Sequence, residues 1–206
     1  MSIENLQTGD LILFTSNTTG ILSYLSSLIK WGSHSNYTHI GMILKDPDFI
    51  NPSLEGLYVW QSGWEGKPDP QDEKIKLGVQ ITPLEELLED YNKTGHVFIR
   101  KIIVSKKNTN YFNNIILNQI HKDVYNKPYD LLITDWIKAF IQKNNNPQRT
   151  DMFWCSALVG YIYTKCGILK EDTDWTILRP CDFSLSSENL TYLNNSYLDN
   201  TETRIE

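Results

Sequence analysis

Phe153-Trp154-Cys155-Ser156-Ala157-Leu158-Val159, continuing through Gly160-Tyr161-Ile162-Tyr163-Thr164 to Lys165, is the stretch on which the reading of this chain turns. As a helix, the segment from Cys155 onward is apolar nearly all round, with Ala157, Leu158, Val159, Tyr161 and Ile162 spread over its sides. Such a helix belongs in the middle of a domain, covered by other elements. Its first residue is a cysteine. In the first turn of a helix the backbone N–H groups lack intrahelical partners and the dipole is positive, which favours a thiolate. The same N–H groups can hold an oxyanion on a substrate. A cysteine beside an apolar helix is equally at home as a small, inert core residue, so Cys155 acquires chemical meaning only through partners.

Outward from this helix the pattern alternates between strand-like and helix-like stretches. Asp10-Leu11-Ile12-Leu13-Phe14, entered through a Thr8-Gly9 turn, reads as a short buried strand. Residues 21–31 have helical spacing, and residues 38–44 and 57–61 read as two strands of an antiparallel ribbon. Between those strands, residues 45–56 form a loop with two prolines, and residues 63–76, rich in Gly, Pro and charge, form another. A strand is expected over 78–82, then a helix with Pro83 in its first position and Leu84, Leu87 and Leu88 inside. Residues 96–104 are strand-like, residues 110–124 and 130–141 helical, and 144–148 a break. The fold class expected is α+β: an antiparallel sheet packed against helices, with the Cys155 helix buried at the centre. One domain over residues 1–185 and a polar, Asn-rich tail over 186–206, frayed at its end, complete the organisation.

Bulk composition narrows the functions available. With 206 residues, 40% hydrophobic and 12% aromatic, the chain has the makings of one well-buried core. A net charge of -6 argues against a nucleic-acid partner, which would require a basic face. The three cysteines, Cys155, Cys166 and Cys181, contain no CxxC pair and fit neither a disulfide framework nor a zinc ribbon. The opening residues lack the basic and apolar regions of a signal peptide, and no apolar run reaches bilayer length. The expectation is a soluble, cytoplasmic protein without stable membrane insertion.

Two further residues give Cys155 a context. His39, in Tyr37-Thr38-His39-Ile40-Gly41, begins a buried strand, where an imidazole is costly unless its nitrogens are satisfied. It suits a hydrogen-bonded core histidine or a base. Gln61 ends the neighbouring strand, and its amide can accept a hydrogen bond from one ring nitrogen, leaving the other free for a thiol proton.

The chain resembles the permuted papain-like superfamily of NlpC-type amidases and lecithin:retinol acyltransferase-like proteins, and most of all its YaeF/YiiX-like branch. The resemblance runs through Gly9-Asp10-Leu11-Ile12-Leu13-Phe14, Tyr37-Thr38-His39-Ile40-Gly41, Val59-Trp60-Gln61-Ser62 and Gly78-Val79-Gln80-Ile81-Thr82-Pro83-Leu84. It continues in Tyr129-Asp130, Cys155-Ser156-Ala157-Leu158-Val159 and Arg179-Pro180-Cys181-Asp182-Phe183, covering residues 6–183 in order. The histidine precedes the cysteine, the permuted order. The resemblance implies a permuted papain-like fold with Cys155 as nucleophile, His39 as base and Gln61 as the residue that orients it. It implies hydrolysis of a peptide or other amide without a cofactor, or transfer or hydrolysis of a lipid-type acyl group. Relatives often carry a carboxylate where Gln61 stands; Glu65, in the loop four residues on, is the alternative third member. The cysteine motif and membrane anchor typical of the acyltransferase branch are missing, which puts the acyltransferase reading second.

The remaining candidates lack such a context. His34 reads as a solvated loop residue, His96 and His121 have no partner motif, and Cys166 reads as a structural thiol. Ser156 caps or packs. Trp31, Trp60, Trp64 and Trp154 could line a cleft or fill the core, and Tyr37 could donate near an oxyanion. Two rival readings are a recognition module that has lost catalysis, and a metal site from His34, His39 and a cysteine. The second lacks the compact ligand pairs of zinc sites.

Overall fold

The computed structural model describes residues 3–15, 35–105, 111–130, 148, 150–187 and 189–206. Its strands are β1 (Leu11–Phe14), β2 (His39–Lys45), β3 (Leu57–Pro68), β4 (Ile75–Pro83), β5 (Val97–Arg100), β6 (Ile102–Ile103), β7 (Tyr197–Leu198) and β8 (Thr203–Ile205). The helices among the described residues are α1 (Leu84–Tyr91), α2 (Asn114–Val124) and α3 (Cys155–Lys165), with short 3-10 turns besides. Six strands form one antiparallel sheet in the order β4-β3-β2-β1-β5-β8, and β6 pairs with β7 apart from it. The class is therefore α+β. No described helix is long and apolar enough to cross a membrane. The helices expected over 21–31 and 130–141 fall on residues that lie, apart from Asp130, outside the described ones.

The period of two along each strand sorts the core into two layers. Leu11, Leu13, Ile40, Met42, Leu44, Trp60 and Ile81 share one cluster with α3, whose Leu158, Val159 and Ile162 are fully buried. Ile12, Phe14, Ile43, Val59, Val97 and Ile99 share the other with Leu84, Leu87 and Leu88 of α1. Each such aliphatic side chain contributes about 1.5–3 kcal/mol by leaving water. With apolar contacts on both faces, the continuous run Leu11–Phe14 needs no polar alternation.

Three expectations are corrected. The loop expected over 63–76 is largely strand: β3 runs on to Pro68 and β4 begins at Ile75, with Gly63 opposite Gly78 and Trp64 opposite Leu77. Cross-strand pairing overrides the loop-like composition, and a bulge between Trp64 and Pro68 absorbs Gly66, whose φ is +69°. Glu65 consequently stands on a strand. The stretch expected as a polar tail supplies β7 and β8; Val97, Phe98 and Ile99 pair with Ile205, Arg204 and Thr203, so the terminus is the sheet's outer strand. Finally, Pro83 precedes α1 as its N-cap residue instead of occupying the first helical position.

The site arises where β2 and β3 part. Their ladder runs from Lys45↔Leu57 to Met42↔Trp60 and goes no further, although both strands continue. The head of α3 takes up the partners this leaves. Ser62 Oγ donates to the Phe153 carbonyl at 2.6 Å, and the Ile40 N–H faces the Cys155 sulfur. A second link arrives from the outer edge of β4. The Val79 N–H donates to Lys127 O (2.9 Å) and the Tyr129 N–H to Leu77 O (3.1 Å). Phe153 N–H then donates to Pro128 O at 3.1 Å, joining the same segment to the start of α3.

Gly78 makes this link possible. Its φ is +149°, and a Cβ there would lie 2.3 Å from Lys127 O. Gly56 also has positive φ (+102°) but has nothing within 4 Å of its Cβ position. Gly78→Ala is expected to cost roughly 2–5 kcal/mol, and Gly56→Ala only the backbone term of about 1–2 kcal/mol. Urea denaturation checks this; equal losses would mean that residues 127–129 do not hold β4 as described.

Candidate active site

Cys155 is the first residue of α3, with Trp154 extended before it as N-cap. No side chain caps this end, so its N–H groups remain available near the sulfur. Cys155 is 2% exposed. Backbone N–H groups of Ile40, Ser156 and Cys155 itself face the sulfur, and the Tyr129 hydroxyl is hydrogen-bonded to it. Ser156 Oγ donates to Leu178 O at 2.7 Å, pinning the helix head to the turn before residues 180–183, and its hydroxyl also lies within hydrogen-bonding reach of the sulfur.

His39 begins β2, one residue before the Ile40 N–H that meets the sulfur. Its Nε2 lies 2.5 Å from Gln61 Oε1. The amide is oriented from behind: Gln61 Nε2 donates to Thr82 Oγ1 at 3.0 Å and to Glu65 Oε1 at 3.2 Å. With the amide oxygen on the ring, Nε2 carries the imidazole proton and Nδ1 carries the lone pair. Phe14 and Tyr91 enclose the ring, at centroid distances of 5.4 and 6.1 Å, the latter nearly parallel. Gly63 leaves room for it: a Cβ there would sit 3.2 Å from His39 Cε1.

The structure thus brings His39 and Gln61 into direct contact, as expected. Cys155 meets the backbone beside His39, and the ring itself is not among the partners of the sulfur. Both belong to one cluster, because Tyr91 stacks on the ring and its phenol pKa, pushed up first by burial and by Glu65, is pushed up also by the charge of a Cys155 thiolate. Hydrogen bonds between catalytic groups commonly tighten only when substrate is bound.

Electrostatics leave the resting site neutral. Burial pushes the Cys155 thiol up to about 11, outweighing the backbone N–H groups that pull it down. This corrects the expectation that the helix start favours a resting thiolate: desolvation exceeds the dipole here. Burial also lowers His39 to about 4, partly opposed by the Gln61 bond. Glu65 moves the other way, to about 7, through burial of its carboxyl and the nearby Asp90, against the hydrogen bonds from Tyr91 and Gln61 and the charge of Lys67.

The other candidates fall away from this cluster. Tyr37 donates to Glu202 Oε2 at 2.5 Å, which ties the C-terminal segment to the residues leading into β2 and occupies its hydroxyl. Trp60 is core, against Phe49 and His121; Trp154 is buried with its Nε1–H on Leu178 O; Trp64 is exposed. Trp31 and His34 lie outside the described residues. His96 packs edge-on to Phe98, and His121 bonds Gln71 Oε1 within the polar network of the β3–β4 turn. Cys166, which ends α3, is buried with its thiol pushed up to about 12. Among the described residues no group of three or more His, Cys, Asp or Glu could hold a metal. Sequence reasoning gave no role to Tyr91, Thr82 or Tyr129. Tyr91 was within reach, since it completes the inward stripe Leu84, Leu87, Leu88 at the next turn of α1.

Alkylation separates the thiols. Iodoacetamide is expected to modify Cys155 ahead of Cys166, because only Cys155 has N–H donors offsetting its burial. The rate should climb about tenfold per pH unit through the neutral range, as for a thiol far below its pKa. Peptide mapping with Cys166 labelled first would contradict this account. No family model matches the chain and no curated protein matches it, so the chemistry of the site is argued from its own geometry.

Proposed function

We propose that the protein is a cysteine hydrolase of the amidase or peptidase type on the permuted papain-like plan. Cys155 is its nucleophile, His39 its base and Gln61 the residue that orients the base. The observation carrying this reading is the His39–Gln61 hydrogen bond beside a helix-initiating cysteine whose sulfur meets the next residue's N–H. Buried His–Gln pairs also occur for structural reasons; what favours catalysis is that this one leaves Nδ1 unprotonated, one residue from the Ile40 N–H that meets the Cys155 sulfur.

In the reaction, Nδ1 takes the thiol proton as the sulfur bonds to the substrate carbonyl carbon. The carbonyl electrons move to oxygen, which the N–H groups at the α3 start stabilise, with the Tyr129 hydroxyl as a further donor. The C–N bond then breaks and the imidazolium proton passes to the departing amine. Water, deprotonated by His39, attacks the thioester and restores the thiol. The neutral resting pair makes this general-base catalysis, in which proton transfer accompanies attack.

A recognition module that keeps this fold is the second reading, favoured by the burial of Cys155 and its raised pKa. Exposure to an activated ester, p-nitrophenyl acetate, with intact-mass detection of the acyl-enzyme, separates the two. The enzyme reading expects acylation at Cys155, abolished in Cys155→Ala and lowered by about two to four powers of ten in His39→Ala. A folded protein that stays unacylated at Cys155 would leave the module. Gln61→Ala should slow acylation by roughly one to four powers of ten. Gln61→Glu should retain much of the rate, because a carboxylate accepts the same bond and stabilises the imidazolium. Unchanged acylation in Gln61→Ala would remove Gln61 from the site.

A further inference from the structure

Gln61 is a symmetric-looking plate whose two ends differ only in hydrogen-bond sense, so its orientation depends on its neighbours. One end faces His39 Nε2; the other faces Thr82 Oγ1 and Glu65 Oε1. The Thr82 hydroxyl both donates and accepts, and tolerates either orientation. Glu65 is selective. As a carboxylate it only accepts, so the amide NH2 must face it and the amide oxygen must face the ring. As a carboxylic acid it can donate to an amide oxygen, and the reversed plate becomes allowed.

We propose that Glu65 is the positioning residue of His39: its carboxylate fixes the Gln61 amide, and through it the ring tautomer with the lone pair on Nδ1. Protonation of Glu65 releases the plate. In the reversed plate the NH2 faces Nε2, which must become the acceptor, and the ring proton moves to Nδ1. In that state Nδ1 has no lone pair for a thiol. The consequence for catalysis rests on the reading of His39 as the base of Cys155; the tautomer exchange does not.

The surroundings of Glu65 put this exchange within the neutral range. Its Oε1 accepts from the Tyr91 hydroxyl at 3.4 Å as well as from Gln61. Asp90 of α1 adds like charge, and Lys67, the nearby cation, is held by Asp90 at 2.7 Å and Glu86 at 3.6 Å. The His39 ring lies on the same side of Gly63, whose Cβ position is 3.5 Å from Glu65 Oε1 and 3.7 Å from His39 Nε2. That ring is neutral through most of the range, since its own pKa is lowered to about 4. Burial sets the carboxyl near 7. Because this folded value lies above the ordinary 4.5, the protonated carboxyl stabilises the fold fully below about 4.5, and that contribution is lost as pH rises through about 7.

The test is the tautomer of His39, read from two-bond 15N–1H correlations of 15N-histidine-labelled protein between about pH 5 and about pH 9. His39→Asn serves only to assign the signal among the four histidines. The parent protein is expected to show Nε2–H at high pH and a growing Nδ1–H population below a midpoint near 7. Glu65→Gln, which cannot titrate, should show no such transition. One unchanging tautomer in the parent, or the same midpoint in Glu65→Gln, would overturn the proposal. Should the variant fail to fold, the parent titration alone decides. Acylation of Cys155 by p-nitrophenyl acetate, followed in parallel, should fall below that midpoint in step with the growing Nδ1–H population. A tautomer exchange that acylation does not follow would leave Glu65 in its role and remove His39 as the base.

Discussion

The end of the β2–β3 ladder at Met42 and Trp60 is the constraint on which the rest of the site depends. Had the ladder continued, the Ile40 N–H and the backbone around Ser62 would have been used within the sheet. Because it stops, the Ile40 N–H faces the Cys155 sulfur and the Ser62 side chain bonds the Phe153 carbonyl, so the buried helix meets the sheet with its cysteine foremost. Residues 127–130 close the arrangement from the β4 edge and deliver Tyr129 to the sulfur. A backbone polar group without a strand partner must find another, and here that requirement builds the site.

Burial then determines its charge state. Cys155 and His39 are both withdrawn from water, and desolvation moves each toward its neutral form, the thiol upward and the imidazole downward. The partial charges of three backbone N–H groups do not reverse this for the thiol. A site of this kind does not hold a preformed thiolate–imidazolium pair; it holds a thiol, and in the proposed mechanism the tautomer of the ring decides whether it can act as a base. That places unusual weight on the residues that orient Gln61, which accounts for the fully buried amide having a partner at both ends.

Much of this was legible in the sequence, for definable reasons. The α3 helix could be read to its boundaries because an all-round apolar segment has only one place to go. His39 and Gln61 were legible as a pair because they lie on adjoining strands of one ribbon, close to where its pairing stops. Glu65 was misplaced in a loop, since Gly63, Gly66 and Pro68 look like breakers until pairing with β4 is known. The terminal strand β8 was missed because three residues, two of them polar, give no periodicity to read; it exists through pairing with Val97–Ile99. The raised thiol pKa was not legible at all. It depends on how much of the molecule covers Cys155, which no local pattern encodes.

The central claim is that the neutral thiol of Cys155 attacks while its proton passes to His39. The most direct measurement is the solvent deuterium isotope effect on acylation of Cys155 by p-nitrophenyl acetate at a pH above the Glu65 transition. Proton transfer in the rate-limiting step predicts acylation slower by about twofold or more in heavy water. A rate unchanged in heavy water would mean that the nucleophile is already a thiolate, and would contradict the account.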